Sequence, residues 1–230
     1  MPEPDVSELL SGTAAVAIVA APMAGGPSGP GLVAAVARAG ALGFLAAGYK
    51  SAEEMAAEFA ATRELTDAPF GVNVFVPSPS DVDEGVLAAY LDELTPDAER
   101  LGVRLGVPLH DDDAYAAKLE MLESDPVAVA SFTFGSPDAP TVRRLHAVGT
   151  RVVVTVTGPE EAALAASAGA DALCVQGSEA GGHQGRFRND AAALSPLPLL
   201  DALAAVGGVT SLPMLAAATG SDSSISSFAA

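Results

Sequence analysis

The stretch Ala172–Phe187, ALCVQGSEAGGHQGRF, joins a short apolar run to a segment with four glycines, one glutamate, one histidine and one arginine. The apolar run, Ala172–Val175, predicts a buried strand, and α/β proteins place their ligand sites in loops at the carboxyl ends of such strands. Glycine lets the backbone come close to a ligand and point N–H groups at it, and His183 adds a side chain that exchanges protons near neutral pH. The stretch therefore predicts a ligand-binding loop with a proton-transfer group, against the alternative of a glycine-rich turn with a surface histidine.

Similar apolar runs recur along the chain, and a predicted helix separates most of them. The predicted strands are Val16–Ala20, Ala41–Ala46, Phe70–Val76, Pro126–Phe134, Arg151–Thr157, Ala172–Val175 and Leu212–Ala217. Strands that alternate with helices pack as a parallel sheet, and near-continuous apolar strands are typical of a sheet buried on both faces. Six or seven such units favour a (β/α)8 barrel, which needs about 250 residues, over an open sheet. A Rossmann domain is disfavoured because no G-x-G-x-x-G follows the first strand.

The helices between these strands carry clear boundary signals. Ser51 and Glu54 form a predicted capping box, and the inward stripe of that helix is Met55, Phe59 and Thr62. The acidic, proline-containing segment 77–124 predicts a helical excursion from the barrel, with helical pieces at Asp83–Leu94 and Asp113–Leu122. The remaining predicted helices are Leu32–Ala39, Asp138–Val148, Pro159–Ala168 and Pro198–Val206. We expect residues 1–230 to form a single domain.

Composition narrows the classes of partner. The chain has 230 residues and a net charge of −18, which disfavours nucleic acid and anionic membrane surfaces. The single cysteine, Cys174, rules out an intramolecular disulfide and fits a buried position in a reducing compartment. The acidic first ten residues do not open a signal peptide, and the apolar run Ala14–Ala24 is too short to span a bilayer. We expect a cytoplasmic protein without a metal site.

Asn73 interrupts the apolar strand Phe70–Val76, FGVNVFV. A buried amide needs a hydrogen-bonding partner, which either the backbone or a ligand supplies. Its place near the carboxyl end of the strand favours the ligand.

Four motifs in this order resemble the nitronate monooxygenase family, formerly called 2-nitropropane dioxygenases. They are PMAGGPS at 22–28, GVNVF at 71–75, SFTFG at 131–135 and QGSEAGGHQG at 176–185. The resemblance runs from about Val16 to about Met214, and the EAGGH segment after Gln-Gly is its most specific part.

The resemblance implies an FMN-dependent TIM barrel that oxidises alkyl nitronates, and nitroalkanes, with O2. Carried over by motif, Met23 and Asn73 would contact the flavin near its ring. Gln176 would hydrogen-bond the isoalloxazine. Gly181 and Gly182 would lie against the cofactor, and His183 would be the catalytic base.

The resemblance ends near Ala218, where a serine-rich segment without periodicity, residues 218–230, replaces the expected continuation. We interpret the chain as a truncated barrel that lacks roughly the last one to two β/α units and has an irregular tail. The open edges predict instability, aggregation or self-association, and impaired FMN binding. Two alternatives stay open: an FMN-dependent enoyl-acyl-carrier-protein reductase-like enzyme, and a non-catalytic remnant without flavin.

Overall fold

Seven parallel strands form one curled sheet in the computed structural model, which describes residues 14–78, 83–188 and 196–217. The strands pair in chain order, so each crosses over to its immediate neighbour. They are β1 (Val19–Ala20), β2 (Leu42–Ala46), β3 (Gly71–Phe75), β4 (Val129–Thr133), β5 (Arg151–Val156), β6 (Ala172–Gln176) and β7 (Met214–Ala217). This sequential parallel order confirms the predicted TIM-type architecture in incomplete form.

At least one helix connects each strand to the next, and the helices cover one face of the sheet. They are α1 (Pro30–Arg38), α2 (Ala52–Leu65), α3 (Glu84–Leu101), α4 (Tyr115–Ser124), α5 (Ala139–Ala147), α6 (Pro159–Ala168) and α7 (Leu199–Gly207). The capping box at α2 is confirmed, because the Ser51 side chain accepts from Glu54 N and the Glu54 carboxylate accepts from Ser51 N. The predicted inward stripe of α2 is also buried.

The predicted helical excursion between β3 and β4 contains α3 and α4. The expected end of its first helix at Leu94 is wrong, since α3 continues through Pro96 to Leu101. Proline removes one intrahelical hydrogen bond, but only Ala98 of this helix is buried, so water can satisfy the freed carbonyl. The predicted tail at 218–230 lies outside the described residues.

The two faces of the sheet have separate cores. Alternate strand residues such as Val72, Phe132 and Leu173 pack against buried residues of the helices. The opposite, inner face holds a smaller apolar cluster that contains no helix residue. Its fully buried members are Leu42, Phe44, Val129, Val153 and Ala172. These residues close the inner face toward the amino ends of the strands, which leaves the carboxyl ends to the functional site.

Candidate functional site

Polar side chains replace the apolar cluster at the carboxyl end of the inner face. Alternation along each strand brings them to one surface: Asn73 on β3, Ser131 and Thr133 on β4, Thr155 on β5, and Gln176 on β6. The hydroxyls of Ser131 and Thr133 both donate to Asn73 Oδ1, each at 2.9 Å. Thr133 Oγ1 lies a further 3.3 Å from Thr155 Oγ1. A hydrogen-bonded polar layer therefore links three adjacent strands.

Side-chain hydroxyls of the next strand satisfy the oxygen of Asn73, a kind of partner that the sequence did not predict. The Nδ2 group of Asn73 donates to none of the described residues. An amide N–H that no protein group uses is available to an acceptor on a ligand. The inner face at this point is therefore suited to a ligand that presents a hydrogen-bond acceptor.

Gln176 fixes the glycine-rich loop that follows β6. Its Nε2 donates to the carbonyl of His183 at 2.9 Å, and its Oε1 accepts from Gly185 N at 2.6 Å. One amide side chain thus holds the backbone on both sides of Gln184. The side chain that the family resemblance assigns to the flavin ring already positions the loop of the candidate base.

Two glycines allow the loop to take this path. Gly182 has φ +81°, in the left-handed region that side chains other than glycine rarely adopt. Gly185 lies so close to the polar layer that a Cβ there would stand 2.9 Å from Thr155 Cγ2 and 3.2 Å from Thr133 Cγ2. The loop therefore folds back over the carboxyl ends of β4 and β5, and Gly181, Gly182 and His183 remain exposed.

Two glutamates hold the ends of this loop. Glu179 accepts from Leu199 N at 2.9 Å and so caps the first turn of α7. Glu161 of α6 accepts from Phe187 N at 2.9 Å and from Thr157 N at 2.7 Å. These hydrogen bonds hold both ends of the loop in place, while the residues around His183 remain exposed.

The structure brings all six predicted site residues to the carboxyl side of the sheet. Met23 follows β1 in the loop at 21–29, where its backbone N donates to Ser28 Oγ at 2.8 Å, and it is 46% exposed. Asn73 and Gln176 lie on the inner face of β3 and β6, and Gly181, Gly182 and His183 lie in the loop after β6. Their individual roles toward a ligand remain predictions.

Cys174 lies on the inner face of β6, two residues before Gln176. Burial raises the pKa of its thiol to about 11, although a hydrogen bond with Thr155 acts in the opposite direction. A thiol that is almost entirely protonated at neutral pH is a poor nucleophile. Cys174 therefore acts as an apolar packing residue, as the sequence predicted, with a buried thiol although the residue as a whole keeps some exposed surface.

Sequence reasoning did not identify Thr133 and Thr155 as members of the polar layer. It also missed an aromatic cluster. The rings of Tyr49, Phe75 and Phe134 pack edge to face at the carboxyl ends of β2, β3 and β4. The available signal was an aromatic residue at, or within three residues of, the end of three successive predicted strands.

No three His, Cys, Asp or Glu side chains lie together as metal ligands in residues 14–78, 83–188 and 196–217. No helix within those ranges is long and apolar enough to cross a membrane. A recess of about 440 Å³ lies at the amino ends of β3 and β4, lined by Arg63, Phe70 and Val127 among others, and is remote from the polar layer along the strands.

The sequence also matches a known protein family. The model of the family described as nitronate monooxygenase matches residues 7–221. The chain belongs to the nitronate monooxygenase family. A curated nitronate monooxygenase of Pseudomonas aeruginosa is 46% identical over 210 residues, covering 87% of this chain and 58% of the relative. One of Paraburkholderia phytofirmans is 40% identical over 178 residues, covering 76% of this chain and 48% of the relative.

Solved structures agree with the nitronate monooxygenase assignment. A structure of nitroalkane oxidase from Streptomyces ansochromogenes is 46% identical and superposes with a TM-score of 0.82, covering 90% of this chain and 59% of that one. FabK from Thermotoga maritima is 23% identical with a TM-score of 0.64, covering 91% of this chain and 52% of that one, and shows likeness of fold alone. The chain thus spans between 48% and 59% of the length of these relatives.

Proposed function

We propose that this chain binds FMN at the carboxyl end of the sheet and oxidises alkyl nitronates, and nitroalkanes, with O2. The proposal is carried by the change from apolar to polar side chains along the inner face of the sheet. The polar side chains lie beneath the glycine-rich loop that bears His183, and the chain belongs to the nitronate monooxygenase family. Flavin would supply the electron transfer and the oxygen chemistry, and the protein would bind and orient the reactants.

The residues present fit a polar ring system. Among the described residues only the oxygen of the Asn73 amide is hydrogen-bonded, which leaves its Nδ2 donors to a ligand. Gln184 Oε1 is a buried acceptor without a donor among those residues, while its Nε2 donates to Gly177 O at 3.3 Å. A planar heterocycle with both acceptor and donor edges would satisfy the two groups. Gly182, where a Cβ would meet nothing within 4 Å, gives the ring open backbone to lie against.

We assign the remaining predicted residues by position. Met23, half exposed in the loop after β1, would pack against the ring. Gln176 would keep its remaining N–H and lone pair for the isoalloxazine while it braces the loop. Gly181 would lie beside Gly182 against the cofactor.

His183 would act as the base that removes the α-proton of a nitroalkane. Its exposed position on the loop leaves the imidazole accessible to a substrate, and Gln176 holds its carbonyl in place. A nitronate is already deprotonated and needs no base, so His183 would only orient it. The two substrates therefore separate the base role from binding.

Binding is tested by titrating the purified chain with FMN, removing the excess and recording the visible spectrum. We expect retention of flavin by the wild type and a roughly tenfold weaker affinity for Asn73→Ala, from the loss of one to two hydrogen bonds. Ser167→Ala removes an exposed hydroxyl near the end of α6 and is the matched control. A folded wild-type chain that stays colourless would contradict the proposal.

Turnover is tested by O2 consumption with ethyl nitronate and with nitroethane. We expect His183→Asn to lower nitroethane turnover by about 10²–10⁴-fold and nitronate turnover far less. His146→Asn is the control. His146 lies in α5 and pairs with Asp171, which directly precedes β6 at the opposite end of that strand from the glycine-rich loop. Equal losses on both substrates would remove the base role. NAD(P)H oxidation that depends on an enoyl thioester would instead favour the reductase-like alternative.

A further inference from the structure

Three aromatic side chains form a continuous surface, here named the aromatic wall: Tyr49, Phe75 and Phe134. The ring centroids of Tyr49 and Phe75 lie 5.5 Å apart at an interplanar angle of 79°. Those of Phe75 and Phe134 lie 4.8 Å apart at 65°. Both pairs have the edge-to-face geometry that aromatic rings favour.

The wall borders the polar layer directly. Phe75 is two residues beyond Asn73 on β3 and therefore lies on the same face, one step nearer the carboxyl end. In the sheet register Phe75 pairs with Thr133, which itself donates to Asn73. An apolar surface thus begins where the hydrogen-bonding groups of the candidate flavin site end.

The backbone beneath the wall adopts uncommon conformations. Tyr49 has φ +65° and Phe134 has φ +70°, which bulky residues rarely occupy. A Cβ on Gly48 would overlap the Phe75 ring, and one on Gly135 would stand 2.7 Å from Val76 Cγ1. Strained residues of this kind cluster at ligand sites, where the surrounding structure enforces them.

The helical excursion fixes the outer end of the wall. Asp113 Oδ1 accepts from Tyr49 N at 2.8 Å, and Asp113 Oδ2 lies 2.7 Å from Lys118 Nζ. Lys118 is completely buried on α4, and among the described residues the Asp113 carboxylate is its ion-pair partner. A buried ion pair therefore positions the backbone of Tyr49, a residue that is 72% exposed.

We propose that the aromatic wall is the apolar side of the substrate site and binds the alkyl chain of the nitronate. The inference rests on the proposed function and adds a preference among substrates. The polar groups would hold the flavin ring and the oxygens of the nitronate, while the aromatic wall would favour longer, unbranched alkyl chains.

The test uses a series of straight-chain nitronates from ethyl to hexyl. For the FMN-loaded wild type we expect kcat/KM to rise about threefold to fourfold per added methylene until the wall is covered. Phe75→Ala should reduce this to less than twofold per methylene. Tyr49→Ala should also lower the rise per methylene, but by a smaller amount. Because Tyr49 is exposed, this variant keeps the test valid if Phe75→Ala does not fold. Tyr90→Ala, on the exposed face of α3, is the control and should keep the wild-type slope.

A second readout needs no turnover. Straight-chain alkanoates from propanoate to hexanoate are unreactive carboxylates of similar shape, and their affinity is measured by calorimetry on the same proteins. A slope with chain length in the wild type that Tyr49→Ala and Phe75→Ala flatten supports the wall, even if the chain proves unable to oxidise nitronates. Equal affinity at every chain length, or no binding at any length, overturns the wall. Loss of flavin or of turnover with the slope intact counts against the proposed function instead.

Discussion

The two ends of the inner face differ in chemistry although the same strands build both. Toward the amino ends, Val129 and Val153 are buried in an apolar cluster. Two residues further along the same strands, Ser131 and Thr155 contribute hydroxyls to the polar layer. Side chains two residues apart on a strand share a face, so a single sheet surface carries both. The comparison teaches that the amino end of the sheet stabilises the fold through apolar burial, while the carboxyl end carries hydrogen-bonding groups instead, as the proposed ligand site requires.

We expect the two ends to contribute differently to the free energy of unfolding, because one buries apolar side chains and the other forms hydrogen bonds. Apolar burial contributes about 25 cal/mol per Å² removed from water. A satisfied hydrogen bond adds only about 0.5–1.5 kcal/mol net, because both groups also bond to water in the unfolded chain. The predictions below compare the two ends, beginning with the largest effect.

Deleting one phenyl ring at each end compares them directly. Phe44 is 3% exposed at the amino end and Phe75 is partly exposed at the carboxyl end, both on the inner face. We expect Phe44→Ala to lower the free energy of unfolding by about 3–5 kcal/mol and Phe75→Ala by clearly less. Urea denaturation followed by circular dichroism measures both. Equal losses would mean that the two ends do not differ in their contribution to stability.

Adding a methyl group under the loop tests how closely it packs on the polar layer. In Gly185→Ala the new Cβ would press on the methyl groups of Thr155 and Thr133, and we expect a cost of about 1–3 kcal/mol together with weaker FMN binding. Gly106→Ala is the matched control, because a Cβ there meets nothing within 4 Å and its φ is not positive. If both variants unfold at the same urea concentration, the loop does not rest on the strand ends as described.

The smallest expected effect concerns the thiol between the two ends. The folded chain keeps Cys174 protonated up to a pKa of about 11, whereas the unfolded chain loses this proton near 9.0. The unfolded state therefore binds fewer protons above pH 9, and the stability contributed by the buried neutral thiol falls as pH rises from about 9 to about 11.

We expect the stability difference between wild type and Cys174→Ala to be constant below pH 9 and to shrink above it. Urea midpoints at pH 8 and pH 10 measure this. Alkylation of native Cys174 at pH 8 should also be roughly 100-fold slower than that of a free cysteine. Rapid alkylation of the folded chain would show that the thiol is not protected.

The sequence predicted the strand and helix order because apolar runs, capping signals and terminal glycines are local features. The capping box at Ser51 is an example, since both partners lie within four residues. The end of α3 at Leu101 was missed because Pro96 favours a break locally, while the exposure that tolerates it is a tertiary property.

The contacts of the site were less accessible to sequence reasoning. Asn73 was identified as a residue needing a partner, but Ser131 and Thr133 lie about 60 residues away and only the sheet register brings them to its oxygen. In the same way, the family resemblance assigned Gln176 to the flavin, and only the folded loop reveals its bonds to His183 and Gly185.

The pairing of every strand with its neighbour in sequence has a consequence for the order of folding during synthesis. Each strand that leaves the ribosome finds the edge of the preceding one already formed, so we expect the sheet to grow from β1 onward. The bond from Leu199 N to Glu179 needs α7, which emerges near the end of the described chain. The glycine-rich loop would therefore be among the last parts to settle, after the surface that it covers is complete.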